Sequence, residues 1–196
     1  SFMDHSLKPS TLIDPQFPVF LDEVISSTTD FQKTLKNKGK DLGALWPKLA
    51  QGLGKKTELK HYSELENFVQ AYTYYYMPAN VMKWPRILRE MEVLGLGVGE
   101  QGSWLDLGSG PGTAVLGALW YFQAFQKEKL TSFEMVAVDQ SRGFLTQAQN
   151  LVSSFYKKSS VDKKLKTHQL DIFKNPKQVG DLLNQYKPRV CSMSNS

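Results

Sequence analysis

Two patterns of apolar residues divide the chain, and one gives way to the other near residue 95. Before it, apolar side chains recur three or four positions apart. Phe20, Leu21, Val24 and Ile25, with Phe31 and Leu35 further on, predict a helix over 17–35. Leu59, Tyr62, Leu65, Phe68, Val69 and Tyr72 predict one stripe of a longer helix over 57–76. A short helix after Asp41 lies between two polar or glycine-rich breaks, and Pro9 and Pro15 mark an irregular lead-in. Val81, Met82, Ile87, Leu88 and Met91 belong to a further helix that Asn80 could cap, with Pro85 either kinking it or marking its first turn. Beyond the glycine-rich stretch 95–102 the pattern changes. Short apolar runs at 103–107, 133–138, 165–170 and 189–193 alternate with helical stretches at 113–126, 141–156 and 176–186. Such runs fit strands covered on both faces. The order βαβαβαβ implies a parallel sheet with right-handed crossovers. The chain therefore reads as an α-helical region over 1–94, a connector over 95–102 and an α/β domain over 103–196.

The first strand runs into Trp104-Leu105-Asp106-Leu107-Gly108-Ser109-Gly110-Pro111-Gly112-Thr113. Glycines at 108, 110 and 112 let the backbone turn tightly and let a ligand approach it. The N–H groups that open the following helix suit a polar or anionic ligand. A dinucleotide fingerprint is Gly-x-Gly-x-x-Gly. Here the third glycine comes one residue early, which disfavours a nicotinamide-dependent oxidoreductase. The bland alternative is a tight strand-to-helix turn without a ligand.

Acidic residues stand at or near the carboxyl ends of three expected strands: Asp106, Asp139 and Asp171. Ligands of open parallel sheets bind beyond those ends. Asp139, before Gln140 and Ser141, is placed to accept hydrogen bonds from both hydroxyls of a ribose. Its alternative is to cap the next helix, a task Ser141 can perform. Asp171 and Ile172 follow the third strand, either at a ligand ring or as a solvated strand end or cap. The aromatic segment Tyr72-Thr73-Tyr74-Tyr75-Tyr76-Met77-Pro78-Ala79-Asn80 is either a lid or stacking platform, or the seam between the helical region and the sheet.

The glycine loop resembles the first motif of class I S-adenosylmethionine-dependent methyltransferases, Asp/Glu-x-Gly-x-Gly-x-Gly, with Asp106 in the acidic position. That resemblance covers residues 103–196 and implies a Rossmann-like sheet, the first four strands of a class I methyltransferase, with the later strands not included. It implies S-adenosylmethionine as cofactor. It places Asp106, Gly108, Ser109, Gly110, Pro111, Gly112 and Thr113 around the methionine part, Asp139, Gln140 and Ser141 at the ribose, and Asp171 and Ile172 at the adenine. Ser194 and Asn195 fall where the family faces the transferred methyl, although they do not form Asn/Asp-Pro-Pro-Tyr. More narrowly, Tyr75-Tyr76-Met77-Pro78-Ala79-Asn80 followed by Gly110-Pro111-Gly112-Thr113-Ala114 resembles the methyltransferase-like family of the small ribosomal subunit, bacterial and mitochondrial. This implies a role in small-subunit assembly with rRNA as partner, with or without methyl transfer. The C-terminal cysteine set of the mitochondrial relatives is missing. No catalytic residue is assigned.

Composition narrows this only slightly. In 196 residues, 24 Lys+Arg against 19 Asp+Glu give +5, a mild basic excess compatible with an RNA partner. A single cysteine, Cys191, excludes an intrachain disulfide and a multi-cysteine metal site, and fits a reducing cytoplasm. No apolar run approaches the ~20 residues of a membrane span.

Overall fold

The computed structural model describes residues 80–193, together with Val69, Tyr72, Thr73, Tyr76 and Met77. The helices expected before residue 57 lie outside the described residues. Of the stretch expected over 57–76, Val69, Tyr72, Thr73 and Tyr76 are helical. The first element described in full is α1 (Lys83–Val93). There follow β1 (Gly102–Leu107), α2 (Thr113–Phe125), the single turn α3 (Lys129–Ser132) and β2 (Phe133–Asp139). The remaining elements are α4 (Arg142–Lys158), β3 (Lys166–Gln169), α5 (Pro176–Tyr186) and β4 (Val190–Met193).

All four strands are parallel and stand in the order β3-β2-β1-β4. This is an α/β, Rossmann-like sheet. The order follows from the pattern of burial. β1 and β2 are almost wholly buried, so both faces need a cover and the crossover helices supply it. Trp104, Met135 and Ala137 face one layer, in one core cluster with residues of α1, α2 and α4. Leu105, Leu107, Val136 and Val138 point to the other face, against Leu182 of α5. The alternation is the period of two of a strand.

Several boundaries differ from the sequence reading. Gly102, placed in the connector, opens β1 and pairs with Phe133; its φ is +149°, and a Cβ there would come within 2.4 Å of the Arg189 side chain. The third strand is only Lys166–Gln169; Leu165 and Leu170 flank it, and the Leu170 N–H still donates to Asp139 O of β2 at 2.9 Å. Asn80 does not cap α1. Its amide donates to Tyr76 O, and its side-chain oxygen accepts from Lys83 Nζ, while Met82 takes the N-cap place. Pro85 lies in the first turn of α1, where no hydrogen bond is lost to it. Pro176 occupies the first turn of α5 as expected. Asn175 precedes it without a side-chain cap and instead donates to Asp171 O.

α1 is held to the sheet domain by close contact with α2. Gly117 makes that approach possible, since a Cβ there would stand 2.7 Å from both Trp84 Cβ and Val81 O. Trp84 then meets Trp104 of β1 edge-on, with centroids 6.0 Å apart. Glu92 accepts a hydrogen bond from the Tyr121 hydroxyl across the same pair of helices. Gly117→Ala is expected to force the helices apart and cost about 1–3 kcal/mol, the usual range for overpacking. A thermal melt indistinguishable from the parent protein's would show that the two helices are not held at this distance.

Candidate functional site

The strands end along one edge, and the sheet grows in opposite directions from β1. Chain order runs outward through β2 and β3, then crosses to β4 on the far side of β1. A crevice forms at such a reversal, outside the carboxyl ends of the strands. The glycine loop between β1 and α2 lies there. Gly108, Gly110 and Gly112 have φ of +69°, +53° and +93°, the left-handed region that side-chain-bearing residues rarely adopt. Gly112 is constrained twice, because a Cβ would also come within 3.2 Å of Ala148 Cβ on α4. The N–H groups of Gly108 and Ser109 donate to Val138 O at 2.8 and 3.0 Å, which seats the loop on the end of β2. Pro111 and Thr113 are buried with it.

Asp139, the last residue of β2, joins two loops. Its Oδ2 accepts from the Gly110 N–H at 2.9 Å, and its Oδ1 accepts from the Ser141 N–H at 2.8 Å. The cap of α4 belongs to Ser141, whose Oγ accepts from the Phe144 N–H at 3.2 Å. Helix capping is therefore not what places an aspartate at 139. It clamps the glycine loop against the next strand-to-helix turn.

Asp106 lies deeper, on β1, fully buried. Register places it opposite Ser192 of β4. The Ser192 hydroxyl donates to Asp106 Oδ1 at 2.8 Å and accepts from Trp104 Nε1 at 2.8 Å. An indole N–H can only donate, so the direction of this chain is fixed: Trp104 to Ser192 to Asp106. Asp106 Oδ2 is buried without a hydrogen-bond partner. Burial pushes the carboxyl from 3.8 up to about 7; the Ser192 hydrogen bond works against this, and the nearby Asp139 charge adds to it. Position 192 gains its partners only through this register, because a lone serine in a strand carries no signal of its own.

The other expected residues sit differently. Gln140 is exposed, and its carbonyl accepts from Gln169 Nε2. Asp171 Oδ1 accepts from the N–H groups of Phe173 and Lys174, which makes it the cap of the turn after β3. Ile172 packs on the core cluster of the α5 face. Ser194 and Asn195 lie outside the described residues. The structure thus gathers Asp106, the loop 108–113, Asp139 and Ser141, and sets Asp171 and Ile172 into local turn and core roles. Among the described residues no cluster of His, Cys, Asp or Glu is grouped to hold a metal ion, and no helix is long and apolar enough to cross a membrane.

The chemistry of this edge sets limits on its ligand. Two carboxylates, Asp106 and Asp139, stand beneath and beside the loop, while neither 104–113 nor 133–141 contains a Lys or Arg. A diphosphate would meet the charge of Asp139 there, and that of Asp106 as it ionises near pH 7. A cationic or neutral polar group fits, and the orphaned Asp106 Oδ2 is an acceptor for such a group.

Fold and geometry together define a doubly wound α/β domain with a glycine loop and the Asp139 carboxylate at its switch point. No family model and no curated protein matches the chain. Among solved structures it is similar to a provisionally assigned S-adenosyl-L-methionine-dependent methyltransferase from Methanococcus maripaludis, at 18% identity and a TM-score of 0.34. The likeness covers 55% of this chain and 42% of that one, so the chain spans less than half the length of that protein.

Proposed function

We propose that this chain binds S-adenosylmethionine at the carboxyl edge of its sheet and serves methyl transfer. The observation that carries the reading is the Asp139 clamp on a loop of three left-handed glycines, with a buried, unpaired carboxylate oxygen of Asp106 below it. Loop 108–113 would hold the methionine part, whose ammonium and sulfonium are cations that suit two carboxylates. Asp139 would hold the ribose. The cofactor supplies an already activated methyl group, so this chain's residues are asked chiefly to bind, orient and exclude water.

An rRNA acceptor within small-subunit assembly is the finer proposal. It is supported by the Met77-Pro78-Ala79 and Gly110-Pro111-Gly112-Thr113-Ala114 segments and by the net charge of +5. Calorimetry with S-adenosylmethionine, S-adenosylhomocysteine and NAD tests the core of the reading. Binding of the first two and not of NAD is expected. Binding of NAD alone would replace the methyl-transfer reading with hydride transfer. Label transferred from methyl-tritiated cofactor to small-subunit rRNA would support the acceptor; cofactor binding and co-sedimentation with small subunits without transfer would point to a non-catalytic assembly role.

A further inference from the structure

Trp104 stands two residues before Asp106, on the same face of β1. Register brings Ser192 of β4 beside both, and all three side chains are buried. The Trp104 indole meets Trp84 of α1 and Phe122 of α2 edge-on, with centroids at 6.0 and 6.4 Å. Packing against two helices leaves the ring little freedom to swing its N–H away from β4.

Ser192 Oγ takes that N–H and gives its own hydrogen to Asp106 Oδ1. A hydroxyl has one hydrogen, and an indole nitrogen cannot accept one. Suppose neutral Asp106 carried its proton on Oδ1 and donated to Ser192. The serine hydrogen would then lose its acceptor, and a buried donor without an acceptor is costly. Oδ1 is therefore an acceptor in both charge states of the acid. The proton of the neutral form falls to Oδ2, the buried oxygen without a partner. Neutral Asp106 offers a donor at that atom, and ionised Asp106 an acceptor.

The surrounding charges leave this exchange to Asp106 itself. Asp139 at the end of β2 favours the neutral acid, and Asp106 in turn pushes up the thiol of Cys191 on β4. α2 has no charged residue, and its Tyr121 donates to Glu92 of α1. Arg89 of α1 pairs with Glu92 at 3.6 Å, and the remaining charged residues of α1 and α4 are exposed.

We propose that Trp104 and Ser192 are positioning residues, which pin Oδ1 of Asp106 as a permanent acceptor and leave Oδ2 as the one atom that exchanges its proton for a cationic group of the ligand. In that exchange the O–H bond at Oδ2 breaks, the electron pair stays on the oxygen and the proton passes to the buffer. The inference rests on the S-adenosylmethionine reading and adds to it two residues outside the glycine loop. Binding is then linked to proton release wherever the free protein holds Asp106 neutral.

Calorimetry in two buffers of unlike ionisation enthalpy counts the protons released. The probes are S-adenosylhomocysteine, which keeps the ammonium, and methylthioadenosine, which lacks it. At pH 7 the parent protein should release about half a proton with S-adenosylhomocysteine, because the carboxyl is held at about 7. Methylthioadenosine should release none. Ser192→Ala removes the bond that favours the ionised form, so release should rise toward one proton. Trp104→Phe, which frees the serine hydroxyl to turn, should move it the same way. Ser192→Thr should return it to the parent value, and Asp106→Asn should abolish it. Should Ser192→Ala not fold, Ser192→Cys replaces it with a weak donor of similar shape. Folded Ser192 and Trp104 variants that release as much as the parent would overturn the positioning role. Binding of S-adenosylhomocysteine without proton release, or equal release with methylthioadenosine, would overturn the exchange and leave the proposed function intact. Parent protein that binds neither probe would overturn both.

Discussion

Asp106→Asn is expected to stabilise the protein at pH 8 and to leave its stability nearly unchanged at about pH 3, below the ordinary value of the carboxyl. The Asp106 carboxyl is held at about 7 in the folded chain against 3.8 ordinarily, chiefly because it is buried. The folded state therefore keeps a proton that the unfolded state has already lost. Between pH 4 and 7 the unfolded chain binds fewer protons than the native one, so stability falls as pH rises through that window and levels off above it. Each tenfold change in proton affinity is worth about 1.4 kcal/mol, so the full effect is at most about 4 kcal/mol. Asn imitates the protonated carboxyl. Its Oδ1 can accept from Ser192 as Asp106 does, and its amide places an uncharged group where the unpartnered Oδ2 lies. Urea unfolding of parent and variant at both pH values reads this directly. Equal stability at pH 8 would show that the buried carboxyl is not strained by its charge.

A residue that costs stability at neutral pH invites the question of what it supplies. Under the proposed function the answer is the counter-charge for a cationic ligand. Asp106→Asn should then gain stability and lose affinity for S-adenosylmethionine. Affinity of the parent protein should rise with pH through about 7 as Asp106 ionises. Gain of stability with unchanged affinity would leave the residue without that role.

How much of this was legible in the sequence depends on the range of the interaction concerned. The strand-and-helix alternation after residue 102 gave the parallel sheet, because both the apolar runs and the glycine loop are local signals. Asp139 was legible as important, yet one of its partners is the Gly110 N–H, 29 residues earlier in the chain. Periodicity carries no information about such a bond. Ser192 was invisible for the same reason, since it acquires meaning only when register sets it opposite Asp106, 86 residues away. Asp171 is ambiguous in the opposite direction. A strand-end aspartate looks the same in sequence whether it faces a ligand or caps the following turn, and the backbone donors of Phe173 and Lys174 show the turn. The aromatic segment was ambiguous between platform and seam because its counterpart, Phe144, lies 72 residues downstream of Tyr72.

The largest functional loss is expected from Asp139→Ala. The substitution removes the acceptor for two backbone N–H groups at once, Gly110 and Ser141. Hydrogen bonds to an ionised acceptor are worth about 1.5–3 kcal/mol each. Water can reach part of this edge and offset some of the loss, so a decrease of about 3 kcal/mol in unfolding free energy is expected. Binding should suffer more than folding. Left-handed glycines leave the loop with little intrinsic preference for its observed course, and the clamp is what selects that course from the alternatives. Without it, S-adenosylhomocysteine affinity should fall at least a hundredfold, even under conditions where the variant is fully folded. Asp139→Asn separates the two contributions, because its one remaining oxygen can keep one of the two N–H bonds while the negative charge is gone. That charge also raises the Asp106 carboxyl, so in either variant the pH window over which stability declines should end lower than it does in the parent protein. A decline that still runs to about pH 7 in both variants would mean that the two carboxylates do not sense each other, and the ligand edge would then have to be redrawn with Asp106 acting alone.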